Sequence, residues 1–231
     1  MASERQTFAS GGKRIAVEVF TSGDGPRRPG VVMLHGADGL SYNGQYRTGA
    51  AAIAAAGYPV FLVHYLDRTD ERRAAFATVF QNFPAWMDTV RDAIAYAGRH
   101  PAVDPNRIGI VGISLGAALG LAVAGSERRV KALVDYFGPL PQGAVSRSLK
   151  LPPTLILHGG SDPVVPVANA LAVEELLKDQ GSPYEIKIYP GQGHGFSGAA
   201  QADATARVLT FLRRHLDGAR AETDSALPAR G

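Results

Sequence analysis

The stretch RIGIVGISLGAALG, residues 107–120, sets a serine between two glycines where a strand-like run gives way to a helix-like run. RIGIV is short, apolar and rich in β-branched residues, which is typical of a buried central strand. The residues after the serine are small enough for a helix to pack close against a sheet. The stretch therefore predicts a strand, a sharp turn at Ser114 and a helix, with glycines on both sides because side chains there would collide with neighbouring backbone.

Strand-like and helix-like segments alternate along the rest of the chain. Apolar runs predict strands at 14–20, 30–35, 59–65, 107–112, 130–137, 153–159 and 184–189. Helical patterns cover 45–56, 85–99, 115–124, 167–180 and 202–216. This alternation implies right-handed crossovers and a doubly wound, mostly parallel sheet, to which the first hairpin-like segment adds antiparallel strands at an edge. The more strictly alternating runs, 14–20 and 184–189, are expected nearer an edge or an open face.

The length of the chain and of its connections predicts one domain. At 231 residues the chain can bury a sizeable core, and we expect a single domain over 1–217. The connection from 138 to 152 is too short to form a separate lid domain. Residues 218–231 are polar and without periodicity, which predicts a flexible tail.

Composition excludes several classes of function. The net charge is only +3 and the paired arginines are scattered, so no nucleic-acid partner is expected. The absence of cysteine excludes thiolate catalysis and disulfides. Neither a zinc-binding spacing nor a dinucleotide fingerprint occurs, so we expect no metal and no cofactor. Without an apolar leader or a bilayer-spanning run, the chain is expected to be cytoplasmic, with no membrane partner, as a monomer or homodimer.

A serine hydroxyl needs a base to attack at neutral pH, and the base needs an orienting acid. Among six histidines, His194 in YPGQGHGF differs because it lies in a glycine-rich loop that follows the strand 184–189. Asp162 in HGGSDPVVP follows the strand 153–159 in the same way, and Asp135 at the end of the strand 130–137 is the second candidate acid. The order of Ser114, Asp162 and His194 is the one expected of an α/β-hydrolase.

Negative charge that develops on a carbonyl oxygen during attack requires backbone N–H groups already aimed at it. One such donor is expected from Leu115, which directly follows the nucleophile. The second is assigned to Ala37, in the loop HGADG that follows the strand 30–35. His35 is expected to shape this turn rather than to transfer protons. The sequence thus predicts an oxyanion hole formed by Ala37 and Leu115.

From about Gly30 to Leu216 the chain resembles the dienelactone hydrolase family of α/β-hydrolases. The resemblance is carried by VVMLHGADGL, AAAGYPVFL, RIGIVGISLGAALG, LILHGGSDPVVP and YPGQGHGF. It implies a compact hydrolase of small esters or lactones, without metal or organic cofactor. The founding members have Cys where this chain has Ser114, Glu near Gly36 and Arg at the position of Gly198. These departures favour a broader carboxylesterase over an enzyme for a true dienelactone.

The resulting hypothesis is a serine hydrolase that cleaves small carboxylic esters or lactones through an acyl-enzyme. A thioesterase or small-peptide hydrolase with the same triad remains an alternative, because the triad does not specify the leaving group. A non-catalytic binding protein that keeps the α/β-hydrolase fold is the contrasting hypothesis. The candidate aromatic side chains for an acyl site are Phe76, Phe80, Phe83 and Trp86, although packing is the favoured role for Trp86.

Overall fold

A computed structural model describes residues 3–21, 25–40, 44–145 and 148–218. The flexible tail predicted for 218–231 therefore lies outside the described residues, apart from Gly218. The described residues form an eight-stranded sheet with helices on both faces, which is the single α/β architecture that the sequence predicted.

The sheet is mostly parallel and begins with an antiparallel hairpin. Its strands are β1 (Glu4–Ser10), β2 (Lys13–Phe20), β3 (Arg28–Leu34), β4 (Val60–Val63), β5 (Val103–Ile113), β6 (Val130–Tyr136), β7 (Thr154–Gly159) and β8 (Tyr184–Tyr189). Their order across the sheet is β1-β2-β4-β3-β5-β6-β7-β8. Strands β1 and β2 are antiparallel to their neighbours, and the others pair in parallel. The carboxyl ends of β3 to β8 consequently meet at one edge of the sheet.

Five helices cover the sheet: α1 (Gln45–Ala55), α2 (Val79–Arg99), α3 (Leu115–Ala124), α4 (Ala168–Asp179) and α5 (Gly198–Leu216). A 3-10 helix follows β4 at Tyr65–Thr69. One apolar cluster joins the sheet to α2, α3 and α4, and a second joins it to α1 and α5. Successive residues of β3 alternate between the two clusters, as expected for a strand that is buried on both faces.

The structure changes several predicted boundaries. Strand β1 was foreseen only as part of a hairpin, and β2, next to it, lies one place in from the edge. Helix α2 begins at Val79 rather than at residue 85, so that Pro84 lies inside it. Because Pro84 has no N–H, the helix lacks a hydrogen bond to the carbonyl of Phe80. Phe80 is 89% exposed, so water can replace this bond.

A charged cluster around the buried Glu18 ties α1 to the antiparallel end of the sheet. Glu18 of β2 accepts two hydrogen bonds from Arg47 of α1, at 2.7 and 2.6 Å, and lies 2.9 Å from Nε2 of His64. Burial would by itself raise the pKa of the Glu18 carboxyl, but the hydrogen bonds from His64 and Arg47 outweigh it and lower that pKa to about 2. The cluster therefore holds Glu18 ionised throughout the neutral range.

Candidate active site

Ser114 lies in a strained turn between β5 and α3. Its backbone has φ 53° and ψ −116°, outside the regions that residues with a side chain normally adopt. The turn needs glycines on both sides. A Cβ at Gly116 would lie 2.3 Å from the carbonyl oxygen of Leu34, and one at Gly112 would lie 2.5 Å from Cα of Ala117. Backbone strain of this kind is found mainly at functional sites, where the surrounding structure holds the residue in the strained conformation.

The three residues singled out in the sequence form one hydrogen-bonded chain. Nδ1 of His194 lies 2.7 Å from Oδ2 of Asp162, and Nε2 lies 2.9 Å from Oγ of Ser114. A carboxylate can only accept, so Nδ1 carries the proton and donates it to Asp162. In the neutral imidazole, Nε2 then accepts the hydrogen bond from the Ser114 hydroxyl. This tautomer is the one that lets a histidine remove the serine proton.

Asp162 is held ionised by the turn that follows β7. Its Oδ1 accepts hydrogen bonds from the backbone N–H groups of Val164 and Val165, at 2.8 and 2.9 Å. Burial opposes ionisation, but the hydrogen bonds from His194 and from these two N–H groups lower the pKa of the carboxyl below its usual value. Behind the turn, the fully buried His158 lies with Nε2 2.8 Å from the carbonyl oxygen of Val165. The hydrogen bonds to Oδ1 leave Oδ2 facing the imidazole.

Asp135, the second candidate acid, has other contacts. Its Oδ1 accepts the backbone N–H of Gly138 at 2.7 Å, and Oδ2 has no hydrogen-bond partner among the described residues. Burial raises the pKa of this carboxyl to about 7, although the hydrogen bond from Gly138 lowers it. The structure therefore pairs His194 with Asp162 and leaves Asp135 in a separate turn.

The loop after β3 lies directly beside the nucleophile. A Cβ at Gly36 would lie 3.5 Å from Cβ of Ser114. The backbone N–H of Gly36 donates to the hydroxyl of Tyr46 at 3.0 Å, and that hydroxyl donates to Oδ1 of Asp38 at 2.6 Å. The carbonyl of Ala37 accepts the N–H of Ala74 at 2.8 Å. These contacts define a candidate oxyanion loop, residues 35–40, with Ala37 at its centre.

One expected oxyanion donor, Leu115, directly follows Ser114, and the other, Ala37, lies in the loop whose Gly36 is beside Ser114. Leu115 is the first residue of α3, so its N–H has no acceptor within the helix. His35 is fully buried, stacks on Tyr65 at 4.3 Å, and has Nδ1 2.7 Å from the carbonyl oxygen of Gly36. Burial lowers the pKa of its imidazole to about 4, so it stays neutral and shapes the turn.

Aromatic side chains close one side of His194. The ring of Phe137, which directly follows β6, lies 4.7 Å from the imidazole, and Phe196 lies 5.4 Å from Phe137. Sequence analysis missed Phe137 and Tyr46. Phe137 could have been found from the sequence, because it too follows a strand at the carboxyl edge of the sheet. Tyr46 has none, since its contact depends on how α1 packs.

The candidate acyl-site aromatics separate into two groups. Trp86 is fully buried, and its indole N–H donates to the hydroxyl of Thr69 at 3.0 Å, which fits the packing role. Phe76 and Phe80 are 92% and 89% exposed. They follow Ala74, whose N–H donates to the carbonyl of Ala37, and their exposure does not fit a role as walls of an enclosed acyl pocket. Phe83 is partly buried and packs against the same core cluster as Trp86.

The fold belongs to the α/β-hydrolase class. Its marks are the order of the strands, the strained serine after β5, and the carboxylate and imidazole in the loops after β7 and β8. Within that class, the profile of the dienelactone hydrolase family matches residues 15–216, and the chain belongs to that family. Esterase YpfH of Escherichia coli is 27% identical over 150 residues, which cover 63% of this chain and 60% of YpfH.

Solved structures share the fold at low sequence identity. A dienelactone hydrolase-like promiscuous phosphotriesterase, P91, from metagenomic libraries superposes with a TM-score of 0.80 at 18% identity, covering 93% of this chain and 98% of P91. The esterase of the archaeon Pyrobaculum calidifontis superposes with a TM-score of 0.75 at 21% identity, covering 91% of this chain and 85% of the esterase. The matches to the first two curated relatives span 60% and 41% of those proteins. In the part of the chain that the structure describes, no helix has the length and apolar character needed to cross a bilayer.

Proposed function

We propose that the chain is a serine hydrolase that cleaves small carboxylic esters or lactones. The observation that carries this proposal is the hydrogen-bonded chain from Asp162 through His194 to Ser114. Membership of the dienelactone hydrolase family and the likeness to esterase YpfH support the same reaction class.

The reaction divides into acylation and deacylation. In acylation, Oγ of Ser114 bonds to the carbonyl carbon while its proton passes to Nε2 of His194. The N–H groups of Ala37 and Leu115 stabilise the oxyanion of the tetrahedral intermediate. Its C–O bond then breaks, and the leaving alkoxide takes the proton from Nε2. Asp162 stabilises the imidazolium that exists between these two proton transfers.

Deacylation repeats the steps with water. His194 takes a proton from a water molecule, whose oxygen bonds to the acyl carbon, and then returns the proton to Oγ of Ser114 as the acid departs. With a lactone, the alcohol remains attached to the acyl group, and the product is a single hydroxy acid.

Covalent labelling tests the nucleophile before any substrate is known. The folded protein is treated with a fluorophosphonate probe, and the adduct is located by peptide mass spectrometry. We expect stoichiometric labelling at Ser114 that is lost in Ser114→Ala and His194→Ala. Ser126→Ala, which removes an exposed hydroxyl at the far end of α3, is the matched control and should label normally. Absence of labelling in well-folded wild-type protein would favour the non-catalytic binding protein.

A screen of esters, lactones, thioesters and peptides then assigns the leaving group. Preferential cleavage of thioesters or peptides would favour the alternative enzymes with the same triad. We further expect a cytoplasmic monomer or homodimer, without nucleic-acid or membrane partners, which light scattering and cell fractionation can test. The mechanism as proposed needs no metal and no organic cofactor.

A further inference from the structure

The turn Asp135–Gly138, at the carboxyl end of β6, holds a second strained residue. Phe137 has φ 42°, a left-handed conformation that a bulky side chain rarely adopts. Its own N–H donates to the carbonyl of Leu157 at 2.8 Å, so the position of the strained residue is fixed relative to β7. Strain that persists in a folded protein requires neighbours that enforce it.

The carboxyl of Asp135 closes this turn from inside the protein. Asp135 is 1% exposed, and its Oδ1 accepts the N–H of Gly138 at 2.7 Å. A Cβ at Gly138 would lie 2.5 Å from Cβ of Ala117 and 2.7 Å from that same oxygen. Gly138 is therefore in close contact with both the Asp135 carboxyl and the first turn of α3. Burial of an acidic side chain with few partners is costly, which calls for a reason in the structure.

Two parts of the candidate site rest on this turn. The carbonyl of Tyr136 accepts the N–H of Ser114 at 2.9 Å, which joins the turn to the nucleophile. The ring of Phe137 lies 4.7 Å from the imidazole of His194, which joins it to the base. On its other side, the same ring packs on Phe196. A change in the turn would reach the serine and the histidine together.

We propose that Asp135 is a positioning residue, whose hydrogen bond to Gly138 closes the turn that packs Phe137 against His194 and keeps the imidazole aligned with Ser114. This inference rests on the proposed function, and it assigns to Asp135 the role of a hydrogen-bond acceptor rather than of a charge. An asparagine can present the same oxygen to the N–H of Gly138, whereas alanine cannot.

The experiment compares Asp135→Ala and Asp135→Asn on p-nitrophenyl acetate. We expect Asp135→Ala to lower kcat by about tenfold with KM within about twofold, because the substrate still binds but the imidazole is misaligned. Asp135→Asn should recover kcat to within about threefold of wild type. Thr89→Val is the matched control, since it removes a buried hydrogen bond to Ser10 on the β1 side of α2 and should lower Tm without changing kcat.

A spectroscopic measurement separates positioning from activity. The proton that His194 Nδ1 donates to Asp162 is observed by proton NMR without any substrate. We expect its resonance to broaden or shift in Asp135→Ala and to stay in place in Asp135→Asn. If Asp135→Ala fails to fold, Phe137→Leu, which keeps an apolar side chain but loses the ring, should give the same spectral change and a lower kcat.

Three results would overturn the inference. The first is that Asp135→Ala keeps the wild-type kcat and an unchanged His194 resonance. The second is that kcat falls equally in Asp135→Asn and Asp135→Ala. The third is that Phe137→Leu leaves both the resonance and kcat unchanged. Failure of the proposed function is recognised separately, because the wild-type protein would then show no labelling of Ser114. In that case the His194 resonance alone decides whether Asp135 positions the imidazole.

Discussion

Replacing Tyr46 by phenylalanine removes a hydroxyl that joins two parts of the candidate oxyanion loop. In the wild type this hydroxyl accepts the N–H of Gly36 and donates to Asp38, at 3.0 and 2.6 Å. Gly36 is buried, so its N–H in the variant has no ready access to water. The phenyl ring keeps the packing of α1 against β3, which confines the change to the hydrogen bonds.

The expected loss has a thermodynamic and a kinetic part. A buried donor left without an acceptor costs about 1–3 kcal/mol of unfolding free energy. For a domain of this size, each kcal/mol lowers Tm by about 2–4 °C. Complete loss of one oxyanion donor costs about 100- to 1000-fold in kcat. The contacts from His35 and Ala74 still hold the loop in the variant, so we expect a fall in kcat of about tenfold and little change in KM.

Steady-state kinetics on p-nitrophenyl acetate and a thermal melt measure the two parts on one preparation. Tyr58→Phe is the matched control, because it removes a hydroxyl that donates to Asp217 at 2.8 Å, away from the carboxyl edge of the sheet. It should leave kcat unchanged. A Tyr46→Phe variant with wild-type kcat, or with raised KM and unchanged kcat, would refute the assignment of this loop to oxyanion stabilisation.

Further substitutions test the acid, the turn at the nucleophile and the charged cluster around Glu18. Asp162→Asn should keep the fold and lower kcat by about 10⁴-fold, through loss of the correct imidazole tautomer, in the same ester assay. Gly116→Ala should abolish fluorophosphonate labelling and lower Tm, because the new Cβ would lie 2.3 Å from a backbone carbonyl oxygen. Gly25→Ala, which has open space around it, is the control and should change neither measurement. The pKa of Glu18 is about 2 in the folded protein and 4.5 in the unfolded chain. The ionised carboxylate therefore stabilises the fold by up to about 3 kcal/mol above pH 4.5, and this contribution is lost as the pH falls from 4.5 to 2. Urea denaturation at several pH values should show this loss in wild type and not in Glu18→Gln.

The parts of the site that could be predicted from the sequence share one property: each lies in the turn or loop that follows a strand. Ser114 directly follows β5, whereas Asp162 and His194 lie in the loops after β7 and β8. The carboxyl ends of these parallel strands meet at one edge of the sheet. Their mutual placement therefore followed from the order of elements, without knowledge of any side-chain packing. The choice of Asp162 over Asp135 rested on its place in the loop after β7, and the structure adds the N–H groups of Val164 and Val165 that donate to its carboxylate.

The remaining features depend on packing between distant segments. Tyr46 reaches the oxyanion loop because α1 packs against β3, and no motif within the helix indicates this. Glu18, Arg47 and His64 come from three separate segments, and no motif in the sequence joins them. The early start of α2 was missed because proline usually ends a helix, whereas here Pro84 lies within the first two turns, next to the exposed Phe80 whose carbonyl it leaves without a helical partner.

The position of β8 at the margin of the sheet has a consequence for how activity responds to heat. His194 lies in the loop after β8. Among the described strands, β8 pairs with β7 alone, and most of its side chains are partly exposed. Ser114 follows β5, which is paired on both sides. Segments with few buried contacts open locally before the whole protein unfolds. Hydrogen exchange should therefore be faster in β8 than in β5, and loss of activity on warming should precede unfolding of the core. Stronger pairing of β8 with β7 would then extend the working temperature range without any change in the reacting groups.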